Sequence, residues 1–200
     1  VERGAAHQRP MPEPVFAVVT GGGTSGHVVP ALAVADALVA AGHDTDTIRY
    51  VGAQRGIETR LLPETPYAHE FLDVVGAQRR LTRENLGFVP KMVRGTRAAI
   101  RLLRHWQPRV VVSVGGYASM PSVFAARRLR IPVVVVSYDR TLGRASRLSA
   151  RSAAACAVAF EHSPLPRAEM TGAPVRQAIL DVDRSSDSRR LAARDSLGID

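Results

Sequence analysis

Val15-Phe16-Ala17-Val18-Val19-Thr20-Gly21-Gly22-Gly23-Thr24-Ser25-Gly26-His27 is the stretch whose reading decides the fold. Its first half, Val15 to Thr20, is a short continuous apolar run, as a strand covered on both faces requires; its second half, Gly21 to Gly26, is a glycine-rich turn. The residues from Pro30 to Ala41 then favour helix, with Pro30 suited to a first turn and Gly42 to the stop after the last one. Thr47 to Gly52 reads as a second strand, so the opening of the chain is a βαβ unit. Outward from it, Arg109 to Val114 and Ile131 to Val136 are β-branched runs of the buried, parallel kind, with helical stretches at Leu86 to His105 and Met120 to Leu129. Alternating strands and helices predict an α/β fold, a doubly wound Rossmann-like parallel sheet.

Composition agrees. The chain has 200 residues, 46% of them hydrophobic and only 5% aromatic, enough apolar material for one full core of valine, alanine and leucine. The single cysteine, Cys156, excludes an internal disulfide framework and a cysteine-based zinc cluster; within Ala153 to Val158 it reads as a small buried residue. No run approaches the length of a membrane span, and Val1 to Pro14 is polar, without the apolar stretch of a signal peptide, so a cytoplasmic protein with a flexible tail over residues 1–14 is expected. The net charge of +9 points to an anionic partner: nucleic acid, lipid or a phosphorylated substrate.

Ligands of doubly wound folds sit at the carboxyl ends of the strands, and two glycine loops fall there, Gly21 to Gly26 and Gly115-Gly116-Tyr117-Ala118-Ser119. Gly21-x-Gly23-x-x-Gly26 formally matches the dinucleotide fingerprint, in which glycines let backbone approach a pyrophosphate at a helix start. The second strand, however, ends Tyr50-Val51-Gly52-Ala53-Gln54-Arg55 without the acidic residue that holds a ribose; Arg49 or Arg55 leaves an NADP-binding reading open, and a tight turn with no ligand is another. No Lys-Ser/Thr pair follows Gly26, against a nucleoside-triphosphate P-loop. His27, directly after the last glycine, is placed to act as a general base near neutral pH, to donate to a phosphate, or simply to pack on the turn.

Gly21 to Ala31 resembles the Gly-Gly-Thr-Gly-Gly-His signature, followed by Pro-Ala, of the MurG family of glycosyltransferases. Val51 to Glu58, Gly115 to Pro121 and Gly172-Ala173-Pro174-Val175-Arg176 resemble three further landmarks of that family in the same order, so the resemblance covers residues 15–178. It implies a GT-B architecture of two Rossmann-like domains, with this chain as the acceptor-binding half (15–178) and residues 179–200 as a linker toward a donor-binding half. It further implies an inverting, metal-independent transfer of N-acetylglucosamine from a UDP-sugar, with no cofactor, to a polyprenyl-diphosphate-linked or similar acceptor. Carried onto this sequence, His27 is the expected catalytic base, and Gly22, Gly23, Thr24, Ser25, Gly26, Gly115, Gly116, Tyr117 and Ser119 the acceptor and diphosphate site, with Arg79 contacting substrate. The chain departs from the family at the end of the strand that closes at Val136: a His-Glu-Gln-Asn segment is expected, and Val136-Ser137-Tyr138-Asp139 stands there, followed by Arg140-Thr141-Leu142-Gly143. The family's glutamate and asparagine are missing; Asp139 is placed to replace one polar contact, and Ser146 stands where a further asparagine is expected, which points to a changed acceptor or to lost activity.

From Gly76 to Arg104 eight arginines and lysines face one acid, Glu84, interleaved with apolar side chains. Arg80, Leu81, Arg83, Leu86 and Phe88 read as contacts to an anionic membrane surface, the family's docking region at the inner face of the cell membrane; an ordinary solvated helix with Ile100, Leu102 and Leu103 inward is the plainer reading. Nucleic acid is not expected, because no recognition motif or aromatic platform accompanies the charge. A stand-alone acceptor-binding subunit, needing a separate donor-binding partner, is the other function consistent with these residues. The tail from Asp181, charged and serine-rich, reads as linker, with a short helix at Leu191 to Leu197 stopping at Gly198.

Overall fold

The computed structural model describes residues 14–74, 88–183 and 185–199. Among them, seven strands form one sheet: β1 (Ala17–Thr20), β2 (Ile48–Ala53), β3 (Ala68–Leu72), β4 (Val110–Ser113), β5 (Val133–Ser137), β6 (Ala155–Val158) and β7 (Ala168–Met170). Their order is β3-β2-β1-β4-β5-β6-β7 and every pairing is parallel, as the alternation of strand and helix requires. The helices are α1 (Ser25–Ala40), α2 (Glu58–Leu61), α3 (Phe88–Trp106), α4 (Met120–Leu129), α5 (Arg144–Ala150), α6 (Gln177–Leu180) and α7 (Asp187–Leu197).

The period of two in the strands divides the core between the faces of the sheet. Val18 and Val111 point into one cluster with Val135, Cys156, Leu103 and Val123, beneath α3 and α4. Their neighbours Val19 and Val112 point into the other, with Ala31, Ala35, Ile48, Tyr50 and Leu62, beneath α1. Helices α1 and α4 therefore leave the adjacent strands β1 and β4 toward opposite faces. α3 crosses from β3 at one edge back to β4 in the middle and buries Gly95, Ala99 and Leu103, a four-residue spacing along one stripe. Gly95 lets it sit close: a Cβ there would lie 2.6 Å from the Val74 side chain.

Three expectations change. α1 begins at Ser25, five positions before Pro30, so Ser25 and Gly26 belong to the helix and Pro30 lies inside it. The rule that proline favours a first turn misplaced the start, because the backbone group this proline leaves without a partner is served from elsewhere in the fold, as described below. Strands β3, β6 and β7 were not expected. Toward the end of the chain, α6 spans Gln177–Leu180, and α7 is a full turn longer than Leu191 to Leu197: it starts at Asp187, with the Ser186 hydroxyl accepting from Arg189 N–H at 3.3 Å, and stops at Gly198 in the left-handed conformation. No described helix is long and apolar enough to cross a membrane.

Candidate functional site

The chain order reverses between β1 and β4, and the ends of these two strands form the switch point at which ligands of doubly wound folds bind. Both expected glycine loops line it, and their backbones touch. At Gly116, where φ is +76°, an added Cβ would fall 2.3 Å from the Gly22 carbonyl oxygen, so both the conformation and the space require glycine.

The loop after β1 is held from below by side chains. Glu58, fully buried at the start of α2, accepts from Gly23 N–H with both carboxylate oxygens (3.1 and 3.2 Å) and from Ala53 N–H (3.0 Å). A Cβ on Gly22 would strike that carboxylate at 2.3 Å. Tyr50, also buried, donates its hydroxyl to the Gly21 carbonyl at 2.8 Å. Burial first, and the Glu58 charge second, raise the Tyr50 pKa, so this hydroxyl keeps its proton. The Gly23 amide is thus committed to a protein carboxylate. The exposed stretch Thr24 to Gly26 forms the free N-terminus of α1: its Thr24 carbonyl accepts from His27 N–H and Val28 N–H, while the amides of Ser25 and Gly26 point out of the first turn. Helix geometry and dipole make that turn a seat for an anion.

His27, half-buried, stands at the junction. Its ring lies against both glycines of the second loop: Cβ positions at Gly115 and Gly116 would be 3.3 Å from Nδ1 and Cε1, and 3.1 Å from Cδ2. Its Nδ1 is 3.2 Å from the Tyr138 hydroxyl, which is also hydrogen-bonded to the Gly26 carbonyl. That carbonyl is the one Pro30, lacking an N–H, leaves unpaired in α1. The Tyr138 pKa is pushed up to about 12, by burial first and then by the neighbouring Asp139 charge.

The other expected site residues divide. Tyr117 covers the first loop, its ring edge 2.8 Å from a Cβ position at Gly23 and its hydroxyl donating weakly to the Arg55 carbonyl at 3.4 Å. Burial, then Glu58, raises its pKa. Ser146, buried at α5, brings its Oγ to 3.4 Å from the Gly115 Cβ position and so belongs to the junction. Ser119 does not face the switch point: it is buried, and its hydroxyl donates to the Gly116 carbonyl at 2.9 Å, shaping the loop from behind. Asp139 is exposed and lines a neighbouring cleft of about 550 Å³ at the ends of β5 and β6, with Arg140, Glu161 and His162. Arg79, Arg80, Leu81, Arg83 and Leu86 lie outside the described residues, and Phe88 opens α3, partly buried. Among the described residues no group of three or more histidine, cysteine, aspartate or glutamate side chains is clustered for a metal ion.

Two contributors were missed in the sequence, Glu58 and Tyr138. Glu58 is 35 residues from the amide it binds and Tyr138 is 111 from the histidine it touches, so no local pattern links them. The only available signal for Glu58 was an acid ending the second-strand landmark.

Comparison with known proteins bears on this geometry. The model of the glycosyltransferase family 28 N-terminal domain matches residues 17–158, the span that contains both loops. A UDP-N-acetylglucosamine–N-acetylmuramyl-(pentapeptide) pyrophosphoryl-undecaprenol N-acetylglucosamine transferase from Mycolicibacterium vanbaalenii is 40% identical over 171 residues, 84% of this chain and 42% of that protein. The protein of the same name from Streptomyces avermitilis is 40% identical, over 92% of this chain and 50% of its own length. The crystal structure of Acinetobacter baumannii MurG superposes with a TM-score of 0.65 at 28% identity, covering 80% of this chain and 45% of that one. A UDP-N-acetylglucosamine 2-epimerase from Rickettsia bellii, 16% identical with a TM-score of 0.60 over 93% of this chain and 52% of its own, shares the fold. The chain spans about half the length of the curated relatives it matches.

Proposed function

We propose, on the premise that this chain belongs to the glycosyltransferase family 28 N-terminal domains, that it is the acceptor-binding half of an inverting, metal-independent N-acetylglucosaminyltransferase using a UDP-sugar as donor. The observation that carries the reading is the convergence of the two glycine loops on His27 at the switch point. The diphosphate of a polyprenyl-linked acceptor lies on the free amides of the α1 N-terminus, beside the Gly115-Gly116 loop. The acceptor hydroxyl attacks the anomeric carbon of the donor sugar; an oxygen–carbon bond forms, the bond to UDP breaks with its electron pair leaving on the nucleotide, and His27 takes the hydroxyl proton. The donor is held by a second domain, in cis or in trans, because a single wall of a cleft does not position two substrates.

The relatives' names support a lipid-linked acceptor, and the surface of α3 is consistent with work at the inner face of the cell membrane: Val89 and Val93 are 64% and 44% exposed beside the exposed Arg94 and Arg97. The altered segment Val136-Ser137-Tyr138-Asp139 supports an acceptor that differs in its sugar or peptide part, since Ser137 and Asp139 line the cleft next to the loops. The commitment of Gly23 N–H to Glu58 takes the middle glycine of the dinucleotide fingerprint out of ligand binding, which speaks against the NADP reading, whereas the acceptor diphosphate is assigned only to the amides beyond it.

The test is turnover of this chain joined to a donor-binding half, with UDP-N-acetylglucosamine and a short-chain polyprenyl-diphosphate sugar. His27→Ala should lower kcat by about 10²- to 10⁴-fold. Full activity without His27 would remove it as the base.

A further inference from the structure

We infer that Tyr138 is a positioning residue that locks His27 in the tautomer protonated at Nδ1, leaving Nε2 as the atom that accepts a proton. The inference deepens the reading of His27 as the base and rests on it.

In an α-helix the N–H of residue 30 would serve the carbonyl of residue 26, and proline has none to give. The Gly26 carbonyl takes the Tyr138 hydroxyl proton instead. A phenol carries one proton, so once it is spent on Gly26, the tyrosine oxygen meets every other neighbour as an acceptor. Its other neighbour is His27 Nδ1, 3.2 Å away. Two lone pairs facing each other at that distance repel, so Nδ1 must carry the hydrogen, and in the neutral ring Nε2 is then bare. The opposite arrangement, with the hydroxyl proton on Nδ1 and N–H at Nε2, strands the Gly26 carbonyl and presents a donor where a base is needed.

The surroundings keep this chain of bonds in one state. Tyr138 remains a hydroxyl across neutral pH, its pKa held up by burial and by Asp139. The ring itself packs on the backbones of Gly115 and Gly116, with Ser146 Oγ beyond Gly115. The nearest buried carboxylate, Glu58, is bound to the amides of Gly23 and Ala53. Tyr138 is neutral, and it orients the imidazole without lending it a partner charge.

The experiment is long-range proton–nitrogen correlation NMR of the ¹⁵N-labelled chain at a pH above the imidazole pKa. Wild-type His27 should show a protonated Nδ1 and an unprotonated Nε2. Tyr138→Phe should return the ring to the Nε2–H form that free histidine prefers. A wild-type ring protonated at Nε2 overturns the inference, and so does a Tyr138→Phe ring that stays in the Nδ1–H form. In the enzyme joined to its donor-binding half, Tyr138→Phe should cut kcat roughly ten- to a hundredfold with KM little changed; a loss confined to KM also overturns it. The tautomer is read without turnover, so inactivity of His27 as a base would appear separately, as unchanged kcat in His27→Ala.

Discussion

Glu58 places a fully buried carboxylate under a loop whose glycines, by sequence, suit a cradle for a foreign anion. It satisfies Gly23 N–H and Ala53 N–H, and it fills the space that the absent side chains of Gly22 and Gly56 leave. The loop thus has an inner half closed by the protein and an outer half, Thr24 to Gly26, open to ligand. Glu58→Ala leaves the buried Ala53 amide and the part-buried Gly23 amide without an acceptor; at about 1–3 kcal/mol for the first and less for the second, denaturant unfolding should show a loss of roughly 2–4 kcal/mol. Glu58→Gln, which keeps one acceptor oxygen and the volume, should cost less. A loss below about 1 kcal/mol in Glu58→Ala would mean that these bonds contribute little beyond what water provides. His27 was legible because it is adjacent in sequence to the glycines that position it. Tyr138 was not: its segment read as the loss of a glutamate and an asparagine, and only the folded chain shows a hydroxyl there meeting the histidine.

Among the elements, α1 and α3 carry the interpretation furthest. α1 tolerates Pro30 at its sixth position because a tyrosine from the end of β5 replaces the missing donor, so a local rule about proline gave the wrong start for a helix whose existence was plain. α3 was legible in outline, since its arginines recur at helical spacing: Arg94, Arg97, Arg101 and Arg104 are all exposed, opposite the buried Gly95, Ala99 and Leu103. Exposed Val89 and Val93 in its first turns are unusual on a solvated stripe. With the basic side chains beside them, they should add to binding of anionic phospholipid vesicles. Val89→Glu with Val93→Glu should reduce vesicle co-sedimentation several-fold, with no effect on neutral vesicles. Unchanged sedimentation would make α3 an ordinary solvated helix.

At the scale of the molecule, the centre of the sheet was readable and its edges were not. β1, β4 and β5 are β-branched runs that can only be interior, whereas β3 (Ala-His-Glu-Phe-Leu) mixes polarity at one edge, β6 (Ala-Cys-Ala-Val) is built of small residues, and β7 is three exposed residues at the other edge. Tyr50 and Tyr138, which close the first loop at its two ends, bear on the stability of the whole. Both have pKa values raised above the ordinary 10.0, Tyr138 to about 12, so the fold favours their protonated forms. Their contribution is complete below pH 10 and is lost as pH rises through the folded values. The denaturant midpoint should therefore fall between about pH 10 and 12, and the fall should shrink in Tyr50→Phe with Tyr138→Phe; a midpoint indifferent to pH over that range would contradict the assignment. Calorimetry of this chain with a short-chain polyprenyl-diphosphate sugar tests most directly the proposed seating of a lipid-linked acceptor's diphosphate at the switch point. Binding in the micromolar range, weakened by His27→Ala or Tyr117→Ala, is the result expected; no heat of binding to the folded chain, or binding indifferent to both changes, would contradict it.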